Sequence, residues 1–336
     1  MSKIETIKYE SPICDRLAKK IESFYVEIFK YLNYDLGKAL AGKLSPDLRC
    51  IVFTASESGN IEAAAACLYN KKNPRVAILG PVAVNNCCRQ RGLGFHLCGL
   101  LLDELRTRGT QAVYLGVKNN LPAEKLYKKL GFEYYSGIVM RKLLVSDSLL
   151  IKNFACDKEM CVRKVDYSDF AGIAALLCEP CKIYNFDFTE NIFSSRYKPI
   201  KRFLPIFPDI MSQIEQSAGS AYCLSRRNNG TIVGCAFIKG PLITAKRNFA
   251  ILEFFILDDY LDHARRMITL AVKEFQINSN IPILCYCYDC DVVKKNLLLE
   301  LNSKVYSIMP CSIKIDGKYY PTTIFQMPQF ICDNCL

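Results

Sequence analysis

The chain has 336 residues, of which 51% are hydrophobic and 23% are charged, and its formal net charge is +11. Its length exceeds that of most single domains, so two domains are expected, and the positive charge favours anionic ligands. No run reaches the ~18 consecutive apolar residues of a membrane helix, and residues 1–8 contain no apolar signal core. Membrane insertion and secretion are therefore not expected, and the predicted location is cytoplasmic.

The first recognisable elements are two strands joined by a tight turn. Residues 49–56 and 61–69 are rich in apolar and β-branched side chains, and the intervening Glu57, Ser58, Gly59 and Asn60 are typical of a turn. The sequence therefore predicts a β-hairpin at this position.

An anion-binding turn follows an apolar strand that ends at Val84. Residues 85–94 are rich in Arg and Gly, and an amphipathic helix begins near Phe95. Gly92 and Gly94 permit close backbone approach, and the first-turn amides of the helix favour a negative ligand. Because Arg89 and Arg91 add positive charge, the expected ligand is a pyrophosphate group.

A second motif lies about one helix and one strand further along. Residues 115–132 comprise a strand, an asparagine at Asn120, a short helix and a closing Gly-Phe pair. Pro122 suits the first turn of that helix and Gly131 suits its C-terminal end.

Together the two motifs resemble the acyl-CoA-dependent N-acetyltransferases of the GNAT superfamily over residues 1–142. The turn Arg89-Gln90-Arg91-Gly92-Leu93-Gly94 is similar to the family's pyrophosphate signature, and residues 115–132 are similar to its second motif. The resemblance implies acetyl-CoA as acyl donor and a small-molecule or protein amine as acceptor. The cofactor contacts that it implies are Val82, Ala83, Val84, Arg89, Gln90, Arg91, Gly92, Leu93, Gly94, Phe95 and Asn120.

The resemblance also implies a mechanism of direct transfer without a covalent enzyme intermediate. A strand amide within residues 82–84 would hold the oxyanion, and Tyr127 would protonate the departing thiolate as general acid. Asn120 would contact the pantetheine arm. The strand of residues 75–82 contains no acidic residue, which leaves Glu62, a water chain or an amine that arrives deprotonated as the means of removing the proton.

The second half of the chain repeats the order of the first. Two predicted strands, residues 221–226 and 231–238, flank a turn at Asn228-Asn229-Gly230. Pairing Gly59 with Gly230, Val84 with Ile256 and Gly131 with Ser303 gives offsets of 171, 172 and 172 residues. A nearly constant offset predicts a duplicated domain.

The second copy has lost the cofactor motif. In the shared register Arg89, Gly92, Gly94, Asn120 and Tyr127 fall on Leu261, Ala264, Arg266, Val292 and Leu299, while Asp258, Asp259 and Asp262 occupy the turn. Carboxylates there would repel a pyrophosphate. The predicted fold is α/β with mixed sheets, in two tandem GNAT-like domains that each have a mostly antiparallel sheet and helices on both faces. The predicted domains are residues 1–145, with an intact acyl-CoA motif, and residues 160–330, a degenerate copy.

The eighteen cysteines are expected to be reduced thiols, and no metal site is predicted. Cys178 with Cys181, Cys332 with Cys335, and the group of Cys285, Cys287 and Cys290 have spacings found in zinc sites, but burial as small apolar residues explains them better. Cys87 and Cys88 are interpreted as turn residues.

One long stretch, residues 182–220, interleaves aromatic and basic side chains. An amphipathic cover on a sheet explains it better than nucleic-acid binding, so no nucleic-acid partner is expected. By the resemblance, this stretch and residues 22–43 are candidates for acceptor selection. The sequence leaves the oligomeric state open.

The leading functional prediction is an acetyl-CoA-dependent N-acetyltransferase. Two alternatives stay open, namely a non-catalytic acyl-CoA sensor or scaffold, and an acyltransferase that uses a longer acyl-CoA. The retained Tyr127 and Asn120 favour an enzyme.

Overall fold

A computed structural model of the chain describes residues 4–30, 35–117, 121–136, 138–155, 159–179, 182–183, 207–241, 248–315 and 317–330. These residues form two compact units. The first comprises those within 1–154, 166–175 and 202–208, and the second those within 155–165, 176–201 and 209–336. No helix in the described parts of the chain has both the length and the hydrophobicity needed to span a bilayer.

The first unit contains a seven-stranded sheet whose neighbouring strands follow the order β1-β2-β3-β4-β5-β7-β6. Only β4 and β5 pair in parallel among these strands, and the other pairs are antiparallel. The strands are β1 (Glu5–Glu10), β2 (Leu48–Glu57), β3 (Asn60–Asn70), β4 (Val76–Val84), β5 (Ala112–Gly116), β6 (Glu133–Ser136) and β7 (Val139–Leu143). The helices are α1 (Asp15–Phe29), α2 (Leu36–Leu40), α3 (Leu93–Thr107), α4 (Pro122–Lys129) and α5 (Asp147–Phe154).

Both faces of the first sheet are covered because its strands are apolar on both sides. Leu97, Leu101 and Leu105 of α3 are fully buried in one core with the alternate strand residues Ala63, Ala65 and others of that face. The intervening residues of β3 are also buried, and α1 contacts β3 and β4. Since successive strand side chains point to opposite faces, the sheet lies between helices on its two sides.

The second unit contains a seven-stranded sheet with neighbours in the order β8-β9-β10-β11-β12-β14-β13. Its strands are β8 (Met160–Lys164), β9 (Gly219–Arg226), β10 (Ile232–Lys239), β11 (Ala250–Ile256), β12 (Ile283–Tyr288), β13 (Lys304–Ile315) and β14 (Lys318–Gln326). The helices of this unit are α7 (Phe207–Glu215), most of which lies in it, α8 (Ala264–Asn278) and α9 (Val292–Glu300), whereas nearly all of α6 (Phe170–Leu176) belongs to the first unit.

The two sheets have the same connectivity. Each has one parallel pair at the same place, β4 with β5 and β11 with β12, and in both cases the connection contains a fifteen-residue helix, α3 or α8. The predicted α/β fold of two tandem units with mixed sheets is confirmed. Both predicted hairpins are present, as β2–β3 and β9–β10.

The second unit buries an ion pair between β11 and α9. Lys294 Nζ lies 3.3 Å from Glu253 Oε2, with side chains that are 1% and 4% exposed. Burial disfavours the ammonium form, but the acidic groups of Cys285, Glu253 and Asp291 nearby raise the pKa of Lys294 above its usual value. The lysine is therefore a buried cation that depends on its partner.

Replacing Lys294 with Met should destabilise the protein by about 3–5 kcal/mol, because it leaves the Glu253 carboxylate buried without its counter-charge. The double variant Lys294→Met with Glu253→Leu should recover much of that loss. Denaturant titration measures both. Lys295→Met serves as control, since Lys295 is 38% exposed and its contact with Asp289 is long, at 3.5 Å, and it should cost less than about 1 kcal/mol. A double variant no more stable than the single one would show that the buried charge is not the cause.

Candidate functional site

The candidate site is created where β4 and β5 stop pairing. Their parallel register comprises Val76 with Ala112, Ala77 with Val113 and Ile78 with Tyr114, although β4 continues to Val84 and β5 to Gly116. Beyond Ile78, the β4 residues Leu79, Val82, Ala83 and Val84 are in register with β3 and not with β5, and the β3 register shifts between Leu79 and Val82.

The ladder with β3 determines which backbone amides of β4 face the open side. The amide of Asn85 donates to the carbonyl of Glu62 at 2.8 Å, in continuous register with Ala83–Ala64. Because hydrogen-bonded and non-hydrogen-bonded pairs alternate in an antiparallel ladder, Ala83 bonds to β3, and the N–H groups of Val82 and Val84 face away from it. Two strand amides thus point to the side from which β5 has diverged.

The turn after β4 presents a second group of backbone donors. Gly92 precedes α3 with φ +79°, and the first helical hydrogen bond runs from the His96 amide to the Gly92 carbonyl at 3.0 Å. The amides of Leu93, Gly94 and Phe95 come before that bond and have no partner inside the helix. Amides in this position, at the favourable end of a helix dipole, suit a negatively charged ligand.

The glycines of this turn serve different purposes. Nothing lies within 4 Å of a Cβ built on Gly92, so there is space for a side chain at this position. Glycine is favoured there because the positive φ disfavours other residues. A Cβ on Gly94 would lie 3.1 Å from Leu126 Cδ1 and 3.5 Å from Val84 Cγ2. Gly94 therefore lies where α4 and β4 closely approach the start of α3, and a larger residue there would have to displace the Leu126 side chain.

These elements enclose a cleft of about 620 Å³, a size typical of small-molecule sites. Of the predicted site residues, Val82, Ala83, Val84, Arg89, Gln90, Gly92, Leu93, Gly94, Phe95 and Tyr127 line it. Arg91 is not among the lining residues, and Asn120 lies outside the described residues. Ile28 and Phe29, which lie in the segment 22–43 predicted to take part in acceptor selection, also line the cleft, as do Cys88, Leu121, Pro122, Ala123 and Leu126.

The lining is mostly apolar. Phe29, Phe95 and Leu121 are 41%, 47% and 43% exposed, although each is a large hydrophobic side chain. Arg89 is the one charged side chain among the described lining residues, and its Nε lies 3.4 Å from the Val84 carbonyl. A ligand with an anionic part at the turn and an apolar part along the cleft matches this distribution.

Tyr127 lies at the wall of the cleft formed by α4. It is 8% exposed, and its ring packs edge-on against Phe132 at 5.9 Å between centroids. The short helix places Ala123, Leu126 and Tyr127 on the cleft, since residues three and four apart lie on one face of a helix.

Arg91 and Glu62 are engaged beside the turn rather than in the cleft. Arg91 Nη1 lies 3.7 Å from Glu57 Oε2 and 3.6 Å from Cys88 Sγ. Glu62 Oε2 accepts from Asn85 Nδ2 at 3.0 Å and from Cys88 Sγ at 3.4 Å. Burial, with hydrogen bonds to Cys87 and Glu62, raises the pKa of the Cys88 thiol to about 11.

The corresponding place in the second unit is built differently. The turn after β11 is a 3-10 helix, Asp258–His263, whose Asp258 accepts from the Lys182 amide at 2.7 Å. The buried Lys294–Glu253 pair joins α9 to β11, the counterparts of α4 and β4. An ion pair thus connects the two elements of the second unit that correspond to β4 and α4, which flank the cleft in the first unit. Of the other candidate segments, residues 182–220 lie mostly outside the described residues.

The predicted cysteine pairs contribute no site among the described residues. Cys285 and Cys287 are buried on β12, and their thiols contact the carbonyls of Tyr286 and Tyr288. Cys181, Cys332 and Cys335 lie outside the described residues.

Comparison with known proteins supports the motif-based resemblance. Residues 15–132 match the model of the acetyltransferase (GNAT) family. No curated protein matches the chain significantly.

Among solved structures, a GNAT-family acetyltransferase from Streptococcus pneumoniae is 14% identical, with a TM-score of 0.40, covering 50% of this chain and 98% of its own. The Salmonella typhimurium protein yncA, solved with acetyl-CoA, is 12% identical, with a TM-score of 0.40, covering 53% and 100%. The spermidine/spermine N-acetyltransferase SpeG from Vibrio cholerae is 13% identical, with a TM-score of 0.36, covering 50% and 94%.

The fit at Gly94 leads to a stability prediction. Gly99→Ala, in the middle of α3 with nothing within 4 Å of the added Cβ, should raise the free energy of unfolding by about 0.5–1 kcal/mol through helix propensity. Gly94→Ala should show no such gain, because its Cβ crowds Leu126. Denaturant titration of both variants checks this, and equal stabilisation would mean that the contact of α3 with α4 is not close.

Proposed function

With residues 15–132 forming a domain of the acetyltransferase (GNAT) family, we propose that the protein transfers an acetyl group from acetyl-CoA to a primary amine. The main support for this proposal is that one cleft combines the glycine turn, the α3 amides, the strand amides of β4 and Tyr127. This one cleft could bind a pyrophosphate, hold a thioester and supply a proton. The proposed donor domain is residues 1–145, and residues 160–330 are proposed as a copy without cofactor.

In the proposed complex the pyrophosphate lies against the amides of Leu93, Gly94 and Phe95, with Arg89 adding charge. The pantetheine arm follows the apolar wall toward the open edge of β4. The other proposed cofactor contacts are Val82, Ala83, Val84, Gln90, Arg91 and Asn120, and Gly92 and Gly94 allow the backbone to approach the ligand closely.

The chemistry begins when the neutral amine attacks the acyl carbonyl. The carbonyl oxygen becomes an oxyanion, which the N–H groups of Val82 or Val84 can stabilise because they face the side without a paired strand. The tetrahedral intermediate collapses, the C–S bond breaks, and Tyr127 gives its phenolic proton to the departing thiolate. The amine proton leaves to solvent, and the phenolate is reprotonated from solvent.

A second candidate is a non-catalytic acyl-CoA binder. It is favoured by the lining itself, since the described residues of the cleft include no carboxylate that could act as base. The same observation is compatible with catalysis of an amine that arrives deprotonated or loses its proton through water, and it predicts that the rate rises with pH toward the pKa of the acceptor.

The test is release of free thiol from acetyl-CoA in the presence of a panel of small amines and amine-bearing peptides. Tyr127→Phe should lower kcat by at least about 100-fold, because general acid catalysis is lost, while acetyl-CoA affinity stays as in the wild type. Tyr134→Phe is the matched control, since Tyr134 lies on β6, is 36% exposed and is not a lining residue of the cleft.

Wild-type kcat in Tyr127→Phe would contradict the assigned role of Tyr127. Tight acetyl-CoA binding with no thiol release for any amine would favour the non-catalytic binder. Faster release from longer acyl donors than from acetyl-CoA would replace acetyl by a longer acyl group in the proposal.

A further inference from the structure

Two adjacent cysteines and a glutamate meet beside the anion turn. Cys87 and Cys88 end the 3-10 turn Asn86–Cys88, which follows β4, and Glu62 lies on β3. Among the described residues this is the one group of three or more His, Cys, Asp or Glu ligand atoms within 4.8 Å of one another. The steps of the proposed transfer reaction do not use this group, although Cys88 also lines the cleft and Glu62 is one of the bases that the sequence leaves open.

The distances within the group match those of one face of a tetrahedral zinc site. The two Sγ atoms are 3.6 Å apart, and Glu62 Oε2 lies 3.4 Å from Cys88 Sγ and 4.0 Å from Cys87 Sγ. With Zn–S near 2.3 Å and Zn–O near 2.0–2.2 Å, tetrahedral ligands lie about 3.8 Å apart for two sulfurs and about 3.5–3.7 Å apart for sulfur and oxygen. An ion could be bound with shifts of a few tenths of an ångström.

The surroundings also suit a thiophilic cation. Asn85 Nδ2 donates to Glu62 Oε2 at 3.0 Å and so holds the carboxylate in place. Arg91 Nη1 donates to Cys88 Sγ at 3.6 Å and so helps to hold this sulfur in place. Cys88 is 4% exposed and Cys87 is exposed, so the site has a buried side and an entry path.

We propose that Cys87, Cys88 and Glu62 bind one zinc ion, or a similar thiophilic divalent cation, with the fourth position open to solvent. Binding displaces the two thiol protons to solvent, forms two metal–sulfur bonds and one metal–oxygen bond, and changes no oxidation state. Three protein ligands with one exchangeable position is the coordination pattern of zinc sites that exchange a ligand. Metal binding at this place does not depend on the identity of the acceptor.

The experiment uses the full chain, stripped of metal and kept reduced with a phosphine. Co²⁺ is titrated as a spectroscopic probe and then displaced with Zn²⁺. The wild type should develop a thiolate-to-cobalt charge-transfer band and the strong visible absorption of four-coordinate Co²⁺, saturating at one equivalent at this site. One equivalent of Zn²⁺ should abolish both signals.

Two variants test the ligands independently. Cys87→Ser and Glu62→Gln should each weaken Co²⁺ binding by more than about 100-fold, since even indirect partners of a metal contribute 10–100-fold. Cys14→Ser is the matched control, because Cys14 is an exposed free cysteine outside the group, and it should bind Co²⁺ as the wild type does. The metal-free unfolding midpoint of each variant verifies that it is folded.

The proposal is overturned if the wild type shows no charge-transfer band. It is also overturned if both Cys87→Ser and Glu62→Gln retain the signal and Cys332→Ser with Cys335→Ser removes it, which would place the ion at the C-terminal cysteine pair. Loss of the band in folded Cys87→Ser and Glu62→Gln, with Cys14→Ser unaffected, supports the site.

Discussion

The parallel pairing of β4 with β5 ends at Ile78–Tyr114, and the candidate site depends on that early end. A parallel pair that continued along β4 would use the amides of Val82 and Val84 in its ladder and fill the space between the strands. Because the pair stops, the two amides face an open edge, and the cleft forms between β4, α3 and α4. The positive φ of Gly92 then directs the chain so that α3 begins at this same edge. One local departure from regular pairing thus brings strand amides and helix amides to a single cleft.

The second unit shows what happens when the same connectivity is retained and the site residues change. Its parallel pair β11–β12 is registered only at Ala250–Ile283 and Ile251–Leu284, yet a buried Glu253–Lys294 pair connects β11 with α9. A buried charge pair needs exact partners and tolerates little rearrangement. In the second unit, the region that corresponds to the cleft can therefore have a structural role. The glycine turn is replaced there by Asp258–His263.

Much of the fold could be predicted from the sequence because its signals are local. Apolar and β-branched runs on either side of turn residues predicted both hairpins. The arginine- and glycine-rich turn predicted the start of α3, and a nearly constant offset predicted the repeated topology. The candidate site was predictable as far as it is contiguous, over residues 82–95 and at Tyr127. Asn120 is still a prediction, since it lies outside the described residues.

The parts that sequence reasoning missed depend on contacts between distant segments. Residues 22–43 are predicted to take part in acceptor selection, but the sequence does not indicate that Ile28 and Phe29 reach the cleft, because this depends on the packing of α1 on β3 and β4. The contact of Arg91, a predicted cofactor ligand, with Glu57 also joins distant segments. The proximity of Glu62 to Cys87 and Cys88 depends on the β3–β4 register, which the spacing of the cysteines alone cannot indicate. Likewise, a lysine on a helix is typical of the surface, and only the structure shows that Lys294 is buried with its partner Glu253 on β11.

The central claim is that acetyl-CoA binds with its pyrophosphate at the start of α3, and calorimetric titration of acetyl-CoA tests it most directly. Gly92→Glu places a carboxylate at the anion site. Gly109→Glu is the matched control, because Gly109 follows the other end of α3, has nearly the same φ (+80° against +79°) and likewise has nothing within 4 Å of an added Cβ. Binding is expected in the wild type and in Gly109→Glu, and loss of binding in Gly92→Glu. Equal affinity in the two variants, or no binding by the wild type at low salt, would contradict it.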